Sequence, residues 1–98
     1  VDYIEQHLAD DICLAHLVEL SGVSQRALYA GFERFIGMPP SAFIRNRRLD
    51  RARDDLERRD ESLTVARVAT RWNFSHLGRF SSEYRKRFGE RPSETLQR

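Results

Sequence analysis

Arginine is the residue type in this sequence best equipped to bind a partner. Sixteen of the seventeen basic residues are Arg, and the planar guanidinium can donate two parallel hydrogen bonds to phosphate oxygens or to the edge of guanine. The charges are unevenly distributed: residues 1–23 carry five acids and no Lys or Arg, whereas residues 24–98 carry seventeen bases and ten acids. This favours a polyanionic partner. A solvated, ion-paired helical surface explains the charge equally well, so the interpretation needs geometric support.

The other polar residues form no catalytic or metal-binding pattern. His7, His16 and His76 lie far apart and have no metal-type spacing to the single Cys13, and no pair of nucleophile and base is recognisable. We therefore expect no enzyme, metal or cofactor. One cysteine, no signal peptide and no apolar run near the roughly 18 residues of a membrane span predict a cytoplasmic, reducing location. Because residue 1 is Val, we expect a piece of a longer protein.

Two segments of the chain, residues 14–43 and 65–95, repeat one pattern. Their first parts match at an offset of 51 residues and their later parts at 52, so one residue is inserted in the second turn. Each copy predicts an amphipathic helix, a tight turn, a second helix that ends at Gly, and a Pro that opens a third helix. The turn residues Gly22 and Asn73 are the types that most readily adopt the left-handed conformation. The pattern indicates a helix-turn-helix in each copy.

The predicted fold is all-α, with about seven helices in two homeodomain-like helix-turn-helix subdomains. The first subdomain covers residues 1–39 and begins with a helix over 2–9. A long connecting helix covers 40–60, and the second subdomain covers 61–98 and closes with a helix over 92–97. About twenty residues at ~1.5 Å each give the connecting helix roughly 30 Å, near the ~34 Å turn of B-DNA.

Five residues precede the four predicted helix-turn-helix helices at capping positions. We expect Ser24 to cap the second helix of the first copy, and Ser75 or His76 to cap its counterpart. Thr64 is expected to cap the first helix of the second copy, whereas Cys13, at the equivalent position, is a poor cap and is predicted to be a buried or half-buried thiol.

The chain resembles the DNA-binding domain of the AraC/XylS regulators over essentially its whole length. The residues that carry the resemblance are LVELSGVSQRALYAGFERFIGMPPSAFIRNRRLDRA and VATRWNFSHLGRFSSEYRKRFGERPS, and Asn73 is a mild departure, because this family commonly has Gly there. The resemblance implies a bacterial activator or repressor whose two recognition helices occupy adjacent major grooves. It also implies contact with RNA polymerase, and an effector or dimerisation domain elsewhere in the full protein.

Helical periodicity separates the packing face of each recognition helix from its outward face. In the first helix Leu28, Phe32, Phe35 and Ile36 are predicted to be core. In the second, Leu77, Phe80, Tyr84 and Phe88 are predicted to be core, with Trp72 packing beside them. The outward residues predicted to contact bases are Gln25, Arg26, Tyr29, Ala30, His76, Gly78, Arg79 and Ser82. Arg suits guanine, Gln suits adenine, and Tyr or Ala can touch a thymine methyl.

A second set of residues is predicted to contact the phosphate backbone, because it lies near helix N-termini or carries positive charge next to the recognition helices. The set is Ser24, Arg34, Ser41, Arg45, Arg48, Ser75, Arg85, Lys86, Arg87 and Ser93. In contrast, Arg51, Arg53, Arg58 and Arg59 alternate with acids and are expected to form a solvated, ion-paired surface.

The sequence therefore predicts a sequence-specific double-stranded-DNA-binding domain that occupies an asymmetric site as a monomer. The main alternative is a helical module whose basic face binds an acidic protein, although this does not explain the repeated turn and proline pattern. RNA is disfavoured, since no aromatic-rich sheet for base stacking is evident.

Overall fold

The computed structural model describes residues 2–58 and 60–97, and within these it contains seven α-helices and no strand. This confirms the all-α prediction. The helices are α1 Asp2–Gln6, α2 Leu14–Ser21, α3 Gln25–Phe35, α4 Pro40–Glu57, α5 Val65–Arg71, α6 Leu77–Phe88 and α7 Pro92–Gln97. The opening and connecting helices end earlier than predicted, and Arg59 lies outside the described residues. None of the described helices is long and apolar enough to cross a membrane.

The chain forms two compact units, residues 1–47 and 48–98, and α4 contributes to both. In the first unit the buried apolar residues are Ile4, Leu8, Leu17, Phe32 and Ile44. The Phe32 and Phe43 rings meet edge to face, with centroids 5.8 Å apart. Arg47 on α4 donates from Nε to Glu5 Oε1 at 2.6 Å and from its Nη2 to Oε2 at 3.2 Å, and this forked pair fastens α1 to α4.

The second unit has a continuous apolar core in which α4, α5 and α6 meet. It consists of Leu49, Ala52, Leu56, Val68, Ala69, Phe80 and Tyr84. The half-buried Trp72 and Phe88 pack against this core, as the sequence predicted. The Tyr84 hydroxyl is buried and lies 2.8 Å from Thr95 Oγ1, so α6 is joined to α7 by a satisfied polar contact as well as by apolar packing.

Three side chains predicted to be buried are on the surface instead. Phe35 is 81% exposed and Leu77 is 47% exposed, and Cys13 is exposed. Phe35 lies about 60° around the α3 axis from Phe32, at the edge of the apolar stripe, and there the Arg34 guanidinium carbon is 5.4 Å from its ring centroid. Leu77 is the first residue of α6, and Cys13 lies just before α2 with an extended backbone. Both therefore lie at helix starts, outside the turns that pack against the core.

Candidate nucleic-acid interface

The turn before α3 is closed by local hydrogen bonds. Gly22 has φ 72°, as the helix-turn-helix pattern predicted. The Ser21 hydroxyl donates to the Val18 carbonyl at 2.8 Å and accepts from the Val23 amide at 3.3 Å. Ser24 then caps α3 by accepting from the Ala27 amide at 3.1 Å, which confirms its predicted capping role. The start of α3 is therefore fixed by its own sequence.

The first turns of α3 carry accessible side chains, of which Arg26 and Ala30 lie on the side of the helix away from the buried Phe32. Gln25, Arg26 and Ala30 are exposed and Tyr29 is half-buried, so all four predicted base-contacting residues of this helix have accessible surface. Arg26 brings five N–H donors and Gln25 brings both donors and an acceptor. A groove edge with guanine or adenine acceptors matches this face.

The turn before α6 also leads into a capped helix, but different residue types form the turn and the cap. Asn73 has φ 66°, and the Phe74 amide donates to the Ala69 carbonyl at 2.9 Å. His76 is the N-cap residue, since its Nδ1 accepts from the Arg79 amide at 3.0 Å. Of the two capping candidates, His76 is thus the cap, while Ser75 lies exposed in the preceding turn. Because Nδ1 accepts, the neutral imidazole has its hydrogen on Nε2, which remains a donor.

The outward face of α6 contains the predicted residues Gly78, Arg79 and Ser82, all exposed. Leu77 is also exposed and joins these candidates. Periodicity missed it because its position along the helix has the same phase as the buried Phe80. Its exposed side chain, at the first position of α6, can contact a thymine methyl group. A Cβ at Gly78 would lie 3.4 Å from His76 Cε1, an ordinary contact distance, so the His76 cap does not require glycine there.

Beside this face, a basic depression opens between α6 and the start of α7. It has a volume of about 540 Å³ and is lined by Ser81, Ser82, Arg85, Lys86 and Arg91. Arg85 and Lys86 were predicted phosphate contacts, whereas Ser81 and Arg91 were not. Arg91 could have been found from its position directly before Pro92 at a helix start. Hydroxyl and cationic donors in one concavity suit phosphate oxygens.

Glu94 anchors one wall of this depression. The Arg91 amide and its Nε donate to Glu94 Oε1 at 3.0 and 3.1 Å. The backbone hydrogen bond, followed by the side-chain one, lowers the pKa of Glu94 below its usual 4.5. The carboxylate therefore fixes the entry of α7 and orients Arg91.

The remaining predicted phosphate contacts differ in what surrounds them. Ser41 and Ser93 are exposed one residue after the buried Pro40 and Pro92, at the starts of α4 and α7. Arg34 and Arg45 are exposed and Arg48 is half-buried. Ser24 uses its oxygen as the cap acceptor.

Arg87 is held within the second unit. Its Nε and Nη2 donate to the two Asp50 carboxylate oxygens at 2.8 and 3.1 Å, and its guanidinium carbon lies 5.7 Å from the Phe88 ring centroid. This pair joins α6 to α4 as the Arg47–Glu5 pair joins α4 to α1.

The charged residues of the second half of α4 are partly structural. Arg53 lies 3.7 Å from Glu57, as expected of an ion-paired surface, but its guanidinium also covers the Phe88 ring at 4.8 Å. Asp55 is almost fully buried. In the described parts of the chain, no group of three or more His, Cys, Asp or Glu is arranged to hold a metal ion.

Comparison with known proteins gives matches along nearly the whole chain. The family described as "Helix-turn-helix domain" matches residues 17–98. The "Probable thc operon regulatory protein" of Rhodococcus erythropolis is 41% identical over 98% of this chain, and so is the "XylDLEGF operon transcriptional activator 2" of Pseudomonas putida. The chain spans 29% and 62% of the lengths of these two relatives.

Solved structures share the same fold. A probable AraC family transcriptional regulator from Rhodopseudomonas palustris is 40% identical, with a TM-score of 0.92 over 98% of this chain and 89% of that one. The DNA-binding domain of AdpA, solved in complex with a target DNA, is 21% identical, with a TM-score of 0.83 over 96% of this chain and 82% of that one. The second likeness concerns the fold alone.

Proposed function

This chain belongs to the AraC family of helix-turn-helix domains, and we propose that it binds double-stranded DNA with sequence specificity as part of a bacterial transcription regulator. The observation that carries the proposal is the duplicated geometry. Each unit has a positive-φ turn residue, a side-chain cap, and a helix whose first turns expose an arginine, Arg26 in one and Arg79 in the other. An exposed, capped helix after such a turn is the element that enters the major groove.

Base recognition is assigned to the exposed first turns of α3 and α6. Arg26 and Arg79 are proposed to donate to guanine, with Gln25 suited to adenine and Tyr29 or Ala30 to a thymine methyl. In α6, Ser82 and the Nε2 hydrogen of His76 supply further donors, Leu77 supplies apolar contact, and Gly78 leaves room for close approach.

Backbone contacts are assigned to the residues around these faces. The basic depression is proposed to hold a phosphate through Arg85, Lys86 and Arg91, and the starts of α4 and α7, at Ser41 and Ser93, to hold others. Ser24, Arg34, Arg45, Arg48 and Ser75 remain proposed phosphate contacts. Arg87 is reassigned, because Asp50 already engages its guanidinium; we propose that it braces α6 rather than contacting DNA.

One chain is proposed to occupy two blocks of different sequence. The α3 and α6 faces differ at every outward position, so the site is asymmetric. With 18 residues, α4 is roughly 27 Å long at ~1.5 Å per residue. This length is compatible with recognition helices in adjacent major grooves.

Regulation is proposed to depend on regions beyond these 98 residues, since the two relatives are longer. We propose an effector or dimerisation domain in the whole protein, contact with RNA polymerase, activation of transcription as in the Pseudomonas putida relative, and a cytoplasmic location.

Selection of bound duplexes from a random library, followed by affinity measurements over a salt series, tests the proposal. The expected result is one enriched asymmetric sequence, bound with a stoichiometry of one chain per duplex. Enrichment of no sequence, with weak binding that disappears in salt, would reject specific recognition.

Charge reversal then assigns the two helices to the two blocks. Arg26→Glu is expected to abolish the preference in one block and Arg79→Glu in the other. Arg67→Glu, on the exposed surface of α5, is the matched control for the change in charge. If both recognition-helix variants retain both preferences, the assignment of α3 and α6 is wrong.

A further inference from the structure

The carboxylate of Asp55, on α4, is the most deeply buried charged group among the described residues, and the residue is 1% exposed. Its Oδ2 accepts from Trp72 Nε1 at 2.8 Å and from the Arg71 guanidinium at 3.2 Å. Its Oδ1 lies 3.2 Å from the Arg58 guanidinium. A buried carboxylate is costly unless hydrogen bonds and opposite charge compensate it, and these three donors do so.

Two of the three donors, Arg71 and Trp72, lie at the corner that leads into α6. Arg71 is the last residue of α5 and Trp72 is its C-cap, and Asn73, with φ 66°, comes next. The Arg71 guanidinium carbon also lies 5.4 Å from the Trp72 ring centroid. One carboxylate on α4 therefore fixes the end of α5 immediately before the chain reverses toward the recognition helix.

The repeat shows that a helix-turn-helix corner does not require this anchor. At the offset of 51 residues, Arg71 and Trp72 correspond to Leu20 and Ser21. Leu20 is exposed, and Ser21 closes its turn through the neighbouring Val18 and Val23. The first corner is thus held by local bonds, whereas the second has local bonds and, in addition, a long-range contact to α4.

We infer that Asp55 is a positioning residue for DNA recognition by α6, acting through Trp72 and Arg71. The inference rests on the proposed function. The carboxylate fixes the corner to α4, so it determines how α6 lies against α4 and, with it, where Leu77, Arg79 and Ser82 lie in the groove. Loss of the carboxylate should reduce discrimination between bases in the part of the DNA site contacted by α6, the α6 block. Discrimination in the part contacted by α3, the α3 block, should stay intact.

The test uses Asp55→Asn, which keeps the shape and removes the charge, and Trp72→Phe, which keeps an aromatic ring and removes the indole N–H donor. The readout is two ratios of affinity. The affinity for the selected site is divided by the affinity for a version with the α6 block scrambled, and likewise by the affinity for a version with the α3 block scrambled. Each variant is expected to lose roughly tenfold of the discrimination at the α6 block, on the scale of one hydrogen bond to a charged group, with the α3-block ratio unchanged. Arg58→Ala, which removes a donor outside the corner, is the control and should retain both ratios.

Circular dichroism under the binding conditions separates positioning from folding, because a smaller folded fraction lowers the apparent affinity for all three duplexes together and leaves the ratios unchanged. If Asp55→Asn fails to fold, the ratio for Trp72→Phe decides. Wild-type ratios in a folded Asp55→Asn or Trp72→Phe variant would overturn the inference. Absence of block preference in the wild type would instead overturn the proposed function.

Discussion

At the scale of single residues, the arginines of α6 differ in the surroundings of the guanidinium group. Arg87 is paired with Asp50, whereas Arg85 lines the basic depression and Arg79 lies on the outward face. We expect Arg85→Ala to weaken binding to all sequences and to reduce the slope of log affinity against log salt by about one, because one phosphate contact is lost. Arg79→Ala should instead cost about 1–3 kcal/mol at one base position. Affinities of both variants over a salt series, with matched and mismatched duplexes, check this, and identical slopes in Arg85→Ala and the wild type would contradict it.

Truncation of two phenylalanines three residues apart in α3 should change the free energy of unfolding by very different amounts. Phe32 is 8% exposed and Phe35 is 81% exposed. Phe32→Ala is expected to lower the free energy of unfolding by about 3–5 kcal/mol through loss of burial and formation of a cavity, and Phe35→Ala to change it by less than about 0.5 kcal/mol. Urea unfolding of the two variants measures the difference. Comparable losses would mean that Phe35 is buried.

Periodicity predicted the exposed positions of Arg26, Arg79 and Ser82, because one helix face must pack and the other then points outward. It could not predict the exposure of Phe35 and Leu77, whose phases allow burial but which extend beyond the packed face. Nor could it identify Asp55, whose charge suggests a solvated position and whose burial depends on Arg71 and Trp72, sixteen and seventeen residues away along the chain.

At the scale of the elements, the caps differ between the repeats. Thr64 caps α5 by accepting from the Arg67 amide at 3.1 Å, whereas Cys13 makes no side-chain cap bond to α2. Cys13→Thr is therefore expected to raise the free energy of unfolding by about 0.5–1 kcal/mol, and Thr64→Cys, the reciprocal control, to lower it by a similar amount. Thermal unfolding of both variants measures the change, and destabilisation by Cys13→Thr would show that the equivalence of the two helix starts fails.

The start of α7 should be sensitive to acid. The pKa of Glu94 lies below 4.5 because the Arg91 amide and side chain donate to its carboxylate. A depressed folded-state pKa stabilises the fold above the unfolded-state pKa, and this contribution is lost as the pH falls through the folded-state value. Stability measured from neutral pH to below 4.5 should therefore decline less in Glu94→Gln than in the wild type; parallel curves would contradict this.

Helix starts were predictable at this scale because Ser24, Thr64 and the prolines act locally. The ends of α1 and α4 were not, since the chain leaves the helix after Gln6 and after Glu57 without a glycine or proline there. The choice of His76 over Ser75 as the cap depends on the one-residue insertion, which makes His76 the equivalent of Ser24 in the second copy of the repeat.

At the scale of the whole molecule, the repeat was predictable because both copies need the same apolar spacing and the same left-handed corner. The copies differ in the outward residues of α3 and α6 and in how each corner is held. One chain therefore carries two unlike proposed recognition surfaces, one in each unit.

The most direct test is to insert base pairs between the two blocks of the selected site and measure monomer affinity. An insertion of about five base pairs rotates one block by half a helical turn, so the proposal predicts that affinity falls to that of a site with one block scrambled. Unchanged affinity after the insertion would contradict simultaneous recognition of two blocks by one chain.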